Sequence, residues 1–250
     1  MRTFAIGDIH GGLRGLQQLL EKLKLTSNDK LIFLGDYVDG WSESAQVLDF
    51  LIELEQKYTC IFIKGNHDVY CENWLKKGIT NDIWLFHGGE MTIQSYKRYT
   101  KEGKRKHIQF LERMKLFHID RENRLFIHAG FTSMHGPAQE FHESNYNWDR
   151  TLWEVAVTMD RRIKKDSVLY PKRLLLFNEI FIGHTPTTRY NTNTPMQGCN
   201  VWNVDTGAAF KGRLSALNIT TKEYTQSEEV HILYPTEKGR NSTPYLKTEE

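Results

Sequence analysis

Asp8 and His10 lie two residues apart in Gly7-Asp8-Ile9-His10-Gly11. At an extended strand end, residues at that spacing point to one side, so a carboxylate and an imidazole can share one cation. Asp36, Asn66, His128 and His184 stand in comparable settings: Gly35-Asp36-Tyr37-Val38-Asp39-Gly40, Gly65-Asn66-His67-Asp68, His128-Ala129-Gly130 and Gly183-His184-Thr185. Together they form a pool of carboxylate, imidazole and amide ligands without sulfur, which suits Mn, Fe or Zn at a catalytic site. Two adjacent cations need a shared carboxylate to bridge them at ~3.5–4 Å, a separation that lets a metal-held hydroxide attack phosphorus. Asp36 is the candidate bridge. The departing alkoxide needs a proton, and His67, next to Asn66, is placed to give it. Asp39 could hold and charge that imidazole. Arg150, in Asn147-Trp148-Asp149-Arg150, offers a fork of donors for phosphate oxygens.

Such residues are useful only if the fold brings them together across the nearly 180 positions from Asp8 to His184. A short β-rich run precedes each: Thr3 to Ile6, Lys30 to Leu34, Cys60 to Lys64, Leu125 to Ile127 and Ile180 to Ile182, with a sixth at Val201 to Val204 before Asp205-Thr206-Gly207. Several are followed by helical spacing, as in Leu13, Leu16, Leu20 and Leu23, or Val47, Leu48, Leu51 and Ile52. In open α/β sheets, loops at the carboxyl ends of strands form the ligand crevice, so convergence there is expected. The stretch from about Trp74 to Phe117 reads as helical, and Arg213 to Ile219 and Val230 to Tyr234 read as antiparallel strands closing the domain. One catalytic domain over residues 1–235 is expected, with 236–250 a loosely held tail.

The chain has 250 residues, with 33 Lys and Arg against 31 Asp and Glu, a formal charge of +2. That balance gives no general reason to expect nucleic acid as a partner. No apolar run approaches the ~18 residues of a membrane span, so a soluble protein without a membrane partner is expected. The opening residues leave no room for a secretory signal before Asp8, which makes the cytoplasm the expected compartment. Cys60, Cys71 and Cys199 have no CxxC spacing and read as reduced, structural thiols.

The motifs around Asp8, Asp36, Asn66, His128 and His184, in that order, resemble those of the calcineurin-like metallophosphoesterases, most closely the bacterial branch of the serine/threonine phosphoprotein phosphatase family. The resemblance covers roughly residues 2–219. It implies an α/β fold: an αββα sandwich of two mixed β-sheets flanked by helices. It also implies two divalent metal ions, manganese first and iron or zinc as alternatives. Asp8, His10 and Asp36 would hold one ion, and Asp36, Asn66, His128 and His184 the other. His67 with Asp39 matches the family's acid pair, and Arg150 resembles one of its phosphate-binding arginines. The implied activity is hydrolysis of phosphomonoesters, with a phosphoprotein or a small phosphorylated molecule as substrate. Hydrolysis of nucleotides or dinucleoside polyphosphates is the alternative, and a metal-binding module without turnover is a third reading.

The family usually carries Arg-Gly where this chain has Gly40-Trp41, so a phosphate-binding guanidinium is missing from that loop. Weak binding of small monoesters is expected, together with tolerance of Gly40→Arg. Trp41 is left open between stacking on a bulky substrate and packing in the core. Asp68 stands where protein phosphatases mostly carry Glu and dinucleoside tetraphosphatases often carry Asp, a small pointer away from phosphoprotein. His87 is open between site and surface, whereas His107, His118, His135, His142 and His231 read as structural or surface histidines. The cations of Lys97 to Lys106 and of Arg161 to Arg173 read as solvated helix faces, and Trp74, Trp84, Trp153 and Trp202 as core.

Overall fold

A computed structural model describes residues 1–242 of the chain. Ten strands form two five-stranded mixed sheets. The first has the order β10-β9-β1-β2-β3, from β1 (Thr3–Ile6), β2 (Lys30–Phe33), β3 (Thr59–Phe62), β9 (Arg213–Asn218) and β10 (Tyr224–Glu229). The second has the order β4-β5-β6-β8-β7, from β4 (Phe117–Ile119), β5 (Arg124–Ile127), β6 (Glu179–Ile182), β7 (Met196–Gly198) and β8 (Val201–Asn203). The β1-β2-β3 and β5-β6-β8 pairs are parallel, so their carboxyl ends lie on one side of each sheet.

Side chains on successive strand residues face opposite ways, and here both faces are covered. Phe4, Ile6, Leu31 and Phe33 pack toward helices α1 (Leu13–Leu23) and α2 (Ser44–Leu54), while Ala5 and Ile32 turn to the second sheet. From that sheet, Phe126 and Phe181 face inward, stacked with ring centroids 4.9 Å apart. Leu125, Ile127, Ile180 and Ile182 pack outward against the Thr151–Thr158 helix. The result is helix, sheet, sheet, helix. Strands buried on both faces read as continuous apolar runs, which is why they were easy to recognise.

The closing edge differs from the sequence expectation. Val230–Leu233 is a helical turn, and the strand beside β9 is Tyr224–Glu229. That strand, YTQSEE, is a polar edge with a register shift between Gln226 and Glu229, so no apolar alternation marks it. Val230 is buried because it packs on α1, where Gly12 and Gly15 leave room for its methyl groups. The long helical region begins earlier than expected, with α3 (Asn66–Lys77), and ends at Glu112. Residues 236–242 are tied to the body: Glu237 accepts from the Ser42 amide at 2.9 Å and hydroxyl at 2.7 Å, and Arg240 N donates to Ala209 O at 3.0 Å. The rest of the expected tail, 243–250, lies outside the described residues. Among the described residues no helix is long and apolar enough to cross a membrane.

Candidate active site

The strand ends deliver their polar residues to one buried cluster. Asp8 follows β1, Asp36 follows β2, Asn66 opens α3 after β3, and His128 and His184 follow β5 and β6. All are nearly inaccessible to solvent, with His10. The Nδ1 atoms of His10 and His128 lie against backbone carbonyls, of Val38 and Asp39 at 3.1 and 3.0 Å and of Leu34 at 2.7 Å. Nδ1–H donation there turns each Nε2 toward Asp36 Oδ2, 3.7 Å from His10 and 3.3 Å from His128. Asn66 Oδ1 sits 3.2 Å from His128 Nε2 and 3.1 Å from His184 Nδ1.

His10, Asp36, Asp39 and His184 all adopt left-handed backbone conformations, with φ of 53°, 53°, 71° and 68°. Such angles are costly for residues with a Cβ and gather at functional sites, where the loop must turn sharply to aim a side chain. Gly65 serves the same crowding: a Cβ there would meet Asp36 Oδ1 at 2.1 Å. Asp68 locks these loops by accepting from the amides of Asp36 (2.8 Å), Tyr37 (2.9 Å) and Gly65 (2.8 Å).

The cluster has the properties of a cation site. Burial, with Asp205 and Asp36 nearby, drives the Asp8 carboxyl well up. Burial and Asp36 push Asp68 up to about 8, and burial does most of the work in raising Asp205 to about 6. Burial opposes the charge on Asp36 too, but the His128 and His67 imidazoles outweigh it and hold that carboxyl low. Burial, then Arg240 for His10 and His128 for His184, keeps both imidazoles neutral and able to ligate. Asp8 Oδ1 and His184 Nε2 are buried without a hydrogen-bond partner among the described residues. Ligand atoms of Asp36, His128 and His184 lie within 4.8 Å of one another, as do those of His10, Asp36 and His67. Beside the second group Asp8 Oδ2 is 4.0 Å from His10 Nε2, while within it His67 Nδ1 is already taken by Asp39 at 2.6 Å. Both clusters can hold metal ions.

His67 sits in the first turn of α3 with its amide bonded to Asp36 Oδ1 at 3.0 Å. Its Asp39 partner is itself held on every side. Trp84 Nε1 donates to Asp39 Oδ2 at 2.7 Å, the Thr92 hydroxyl donates to Oδ1, and the Asp39 amide meets Ser44 and Thr92 oxygens. Trp84, read from sequence as core, is buried and also helps hold the Asp39 carboxylate that faces His67. The structure brings eight of the nine sequence candidates into this buried network. Arg150, the ninth, lines the cleft above it, half-buried at the start of the Thr151–Thr158 helix.

That cleft, of roughly 200 Å³, is lined by His10, Asp36, Asn66, His67 and His184 together with Arg150, Arg189 and Arg240. Arg189 and Arg240 were not found by sequence reasoning. Neither belongs to a motif: Arg189 follows His184 in a short helical turn, and Arg240 comes from the segment expected to be loose. His87 also lines the cleft, 3.4 Å by Nδ1 from Arg240 Nη2. Tyr70, Trp148 and Phe210 give it an aromatic rim, with Trp148 42% exposed.

In the Gly40-Trp41 loop one open question is settled and one expectation is corrected. Trp41 is fully buried, stacked on Tyr234 at 5.1 Å and donating from Nε1 to Ala208 O at 2.8 Å, so it cannot stack on substrate. Gly40 has φ +120°, and a Cβ there would come within 3.4 Å of Arg240 Cγ, so Gly40→Arg is strained rather than tolerated.

Comparison with known proteins agrees with this geometry. The chain is 26% identical over 238 residues to a bis(5'-nucleosyl)-tetraphosphatase PrpE [asymmetrical] of Oceanobacillus iheyensis, covering 90% of this chain and 91% of the relative. It is 28% identical over 247 residues to the protein of that name from Bacillus anthracis, covering 93% and 94%. Its fold matches the crystal structure of a metallophosphoesterase from Sphaerobacter thermophilus with a TM-score of 0.54, at 16% identity over 97% of this chain and 98% of that one. The family model for calcineurin-like phosphoesterases matches residues 1–207, and the chain is a member of that family of metal-dependent phosphoester hydrolases.

Proposed function

We propose that this chain hydrolyses dinucleoside polyphosphates of the diadenosine tetraphosphate type, the alternative rather than the leading activity expected from sequence. The observation that carries the reading is the lining of the cleft: three guanidiniums, Arg150, Arg189 and Arg240, above a metal-binding cluster and beside an aromatic rim. Arg150 is destabilised as a cation by burial and by the charges of Arg189 and Arg240. A group of mutually repelling cations is relieved most by a ligand with a charge on each of several linked phosphates. At roughly 200 Å³ the cleft holds phosphates and leaves nucleosides to the rim, where Trp148 and Tyr70 offer ring faces and edges. The names of the relatives support the same substrate class.

In this reading Asp8, His10 and Asp36 hold one divalent ion and Asp36, Asn66, His128 and His184 the other, with manganese the first candidate. The bound ions supply Lewis-acid activation of water and neutralise phosphate charge. The chain's own residues do the rest. Arg150 and its neighbours orient the phosphate oxygens by forked hydrogen bonds. Asp39 accepts a hydrogen bond from His67 Nδ1–H and so orients the ring, and the Nε2–H of the imidazolium passes its proton to the leaving oxygen. The buried walls keep bulk water from competing for the phosphate oxygens.

Chromatography of products from manganese-loaded protein and diadenosine tetraphosphate tests the proposal. Unequal nucleotide products are expected, at a kcat/KM about 10²-fold or more above that for a phosphothreonine peptide. Faster turnover of the peptide would return the phosphoprotein reading to first place.

A further inference from the structure

We infer that Arg240, supplied from the chain's C-terminal segment, binds substrate phosphate in the role that the loop arginine missing at Gly40 would otherwise fill. The inference rests on the phosphoester chemistry of the site and not on the dinucleotide reading. Three observations carry it. The side chain of Arg240 passes directly over Gly40, where an added Cβ would meet its Cγ at 3.4 Å and His10 O at 3.2 Å. A Cβ at position 40 would already touch Arg240, so a longer side chain there would compete with Arg240 for the same space. The guanidinium ends inside the cleft, with Nη1 3.5 Å from His10 Nε2 and Nη2 3.4 Å from His87 Nδ1, on the same lining as Asn66, His67 and Arg150. It lies over the Phe210 ring, 5.2 Å from the centroid, a cation–π contact that helps hold it in the cleft.

The third observation concerns Trp41, the other departure in this loop. Its indole is the seat on which the C-terminal segment rests. Gly239, at φ +55°, lies so close that a Cβ would meet Trp41 Cη2 at 2.7 Å. Tyr234 stacks on the same indole, and its hydroxyl is bonded to Glu43 and to the Arg14 amide. Glu237 is clamped by Ser42, the next residue in the loop. Gly40 thus makes room for Arg240, and Trp41 with Ser42 anchors the segment that carries it. The two changes from the family pattern at 40 and 41 act as one device: a guanidinium moved from the loop to the end of the chain. Arg240 lies beyond residues 1–207, the range matched by the family model, so no motif could have marked it.

The test uses the manganese-loaded protein with p-nitrophenyl phosphate as substrate and inorganic phosphate as competitive inhibitor. Neither probe depends on which phosphoester the protein prefers. For Arg240→Ala, loss of one charge-assisted interaction raises Ki for phosphate and KM together by about 10- to 150-fold, with a smaller fall in kcat. Arg240→Lys recovers part of the loss, because a point charge replaces a fork. Trp41→Leu shifts Ki in the same direction and adds little to Arg240→Ala, whereas a merely structural role lowers the melting temperature and leaves Ki unmoved. Should Arg240→Ala not fold, Arg240→Lys and Arg240→Gln are read by the same constants. The inference is overturned if Ki and KM of the folded variant stay within twofold of the parent. It is equally overturned if the variant binds manganese more tightly with Ki unchanged, the pattern of a guanidinium that only fills the cation site of the metal-free chain.

Discussion

Asp36→Asn is expected to abolish measurable turnover, lowering kcat by about 10³-fold or more, and to reduce bound manganese from two ions per chain to at most one. The geometry explains the size of the effect. Asp36 Oδ2 faces both His10 Nε2 and His128 Nε2, at 3.7 and 3.3 Å, so one carboxylate serves both clusters. The amide of asparagine keeps the shape but removes the charge, and its NH2 would point a donor at one of two imidazole lone pairs. Losing several kcal/mol of charge stabilisation corresponds to about 10³ in rate at 1.36 kcal/mol per tenfold. Metal content of the purified protein and calorimetric titration with manganese read the binding directly, without relying on activity. Two ions per chain in the variant, or a rate within tenfold of the parent, would show that Asp36 does not bridge the clusters.

His67→Asn should separate substrates by their leaving groups. A general acid contributes ~10²–10⁴-fold where the departing oxygen is strongly basic, so kcat for an alkyl phosphate should fall by that factor. For p-nitrophenyl phosphate the loss should be far smaller, since that leaving group hardly needs a proton. A nucleoside phosphate leaving group is likewise a weak base, and the proposed dinucleotide substrate belongs with the second class. The structure sharpens the expectation because His67 cannot drift. Its Nδ1 is 2.6 Å from Asp39, whose two oxygens are also engaged by Trp84 and Thr92. Asparagine cannot reproduce an Nε2 donor held at that point. Equal losses on both substrates would mean that His67 contributes to binding or to the loop's shape and not to proton transfer.

Most of the site was legible because each buried strand announces itself as an apolar run and then stops at a polar residue. That pattern placed Asp8, Asp36, Asn66, His128 and His184 at strand ends before any fold was known, and the parallel pairings put those ends together. Where the signal was weak the reading slipped. The Tyr224–Glu229 edge strand is polar, with only Ser227 buried, so the apolar residues after it were mistaken for the strand. Arg189 and Arg240 were invisible for a different reason. A long flexible side chain reaching across a cleft leaves no periodicity at its own position, and only tertiary packing decides where its end lies. Trp41 illustrates the same limit: its sequence neighbours place it beside the site, but Tyr234 and Gly239, far along the chain, determine that it is buried.

The left-handed backbone at His10, Asp36, Asp39 and His184 has a bearing on how this protein could be improved as a reagent. Glycine would relax each of these turns, and consensus-style stabilisation would single them out first. Yet each glycine would delete an imidazole or a carboxylate from the cleft or, at Asp39, the partner that holds His67. The molecule is therefore stabilised most safely in the apolar layers behind the strands, where Phe126 stacks on Phe181 and no side chain has a second duty. Natural drift faces the same division: the sheet interior is free to exchange one hydrophobe for another of similar volume, while the turns carry carboxylates whose hydrogen bonds tie one strand end to the next.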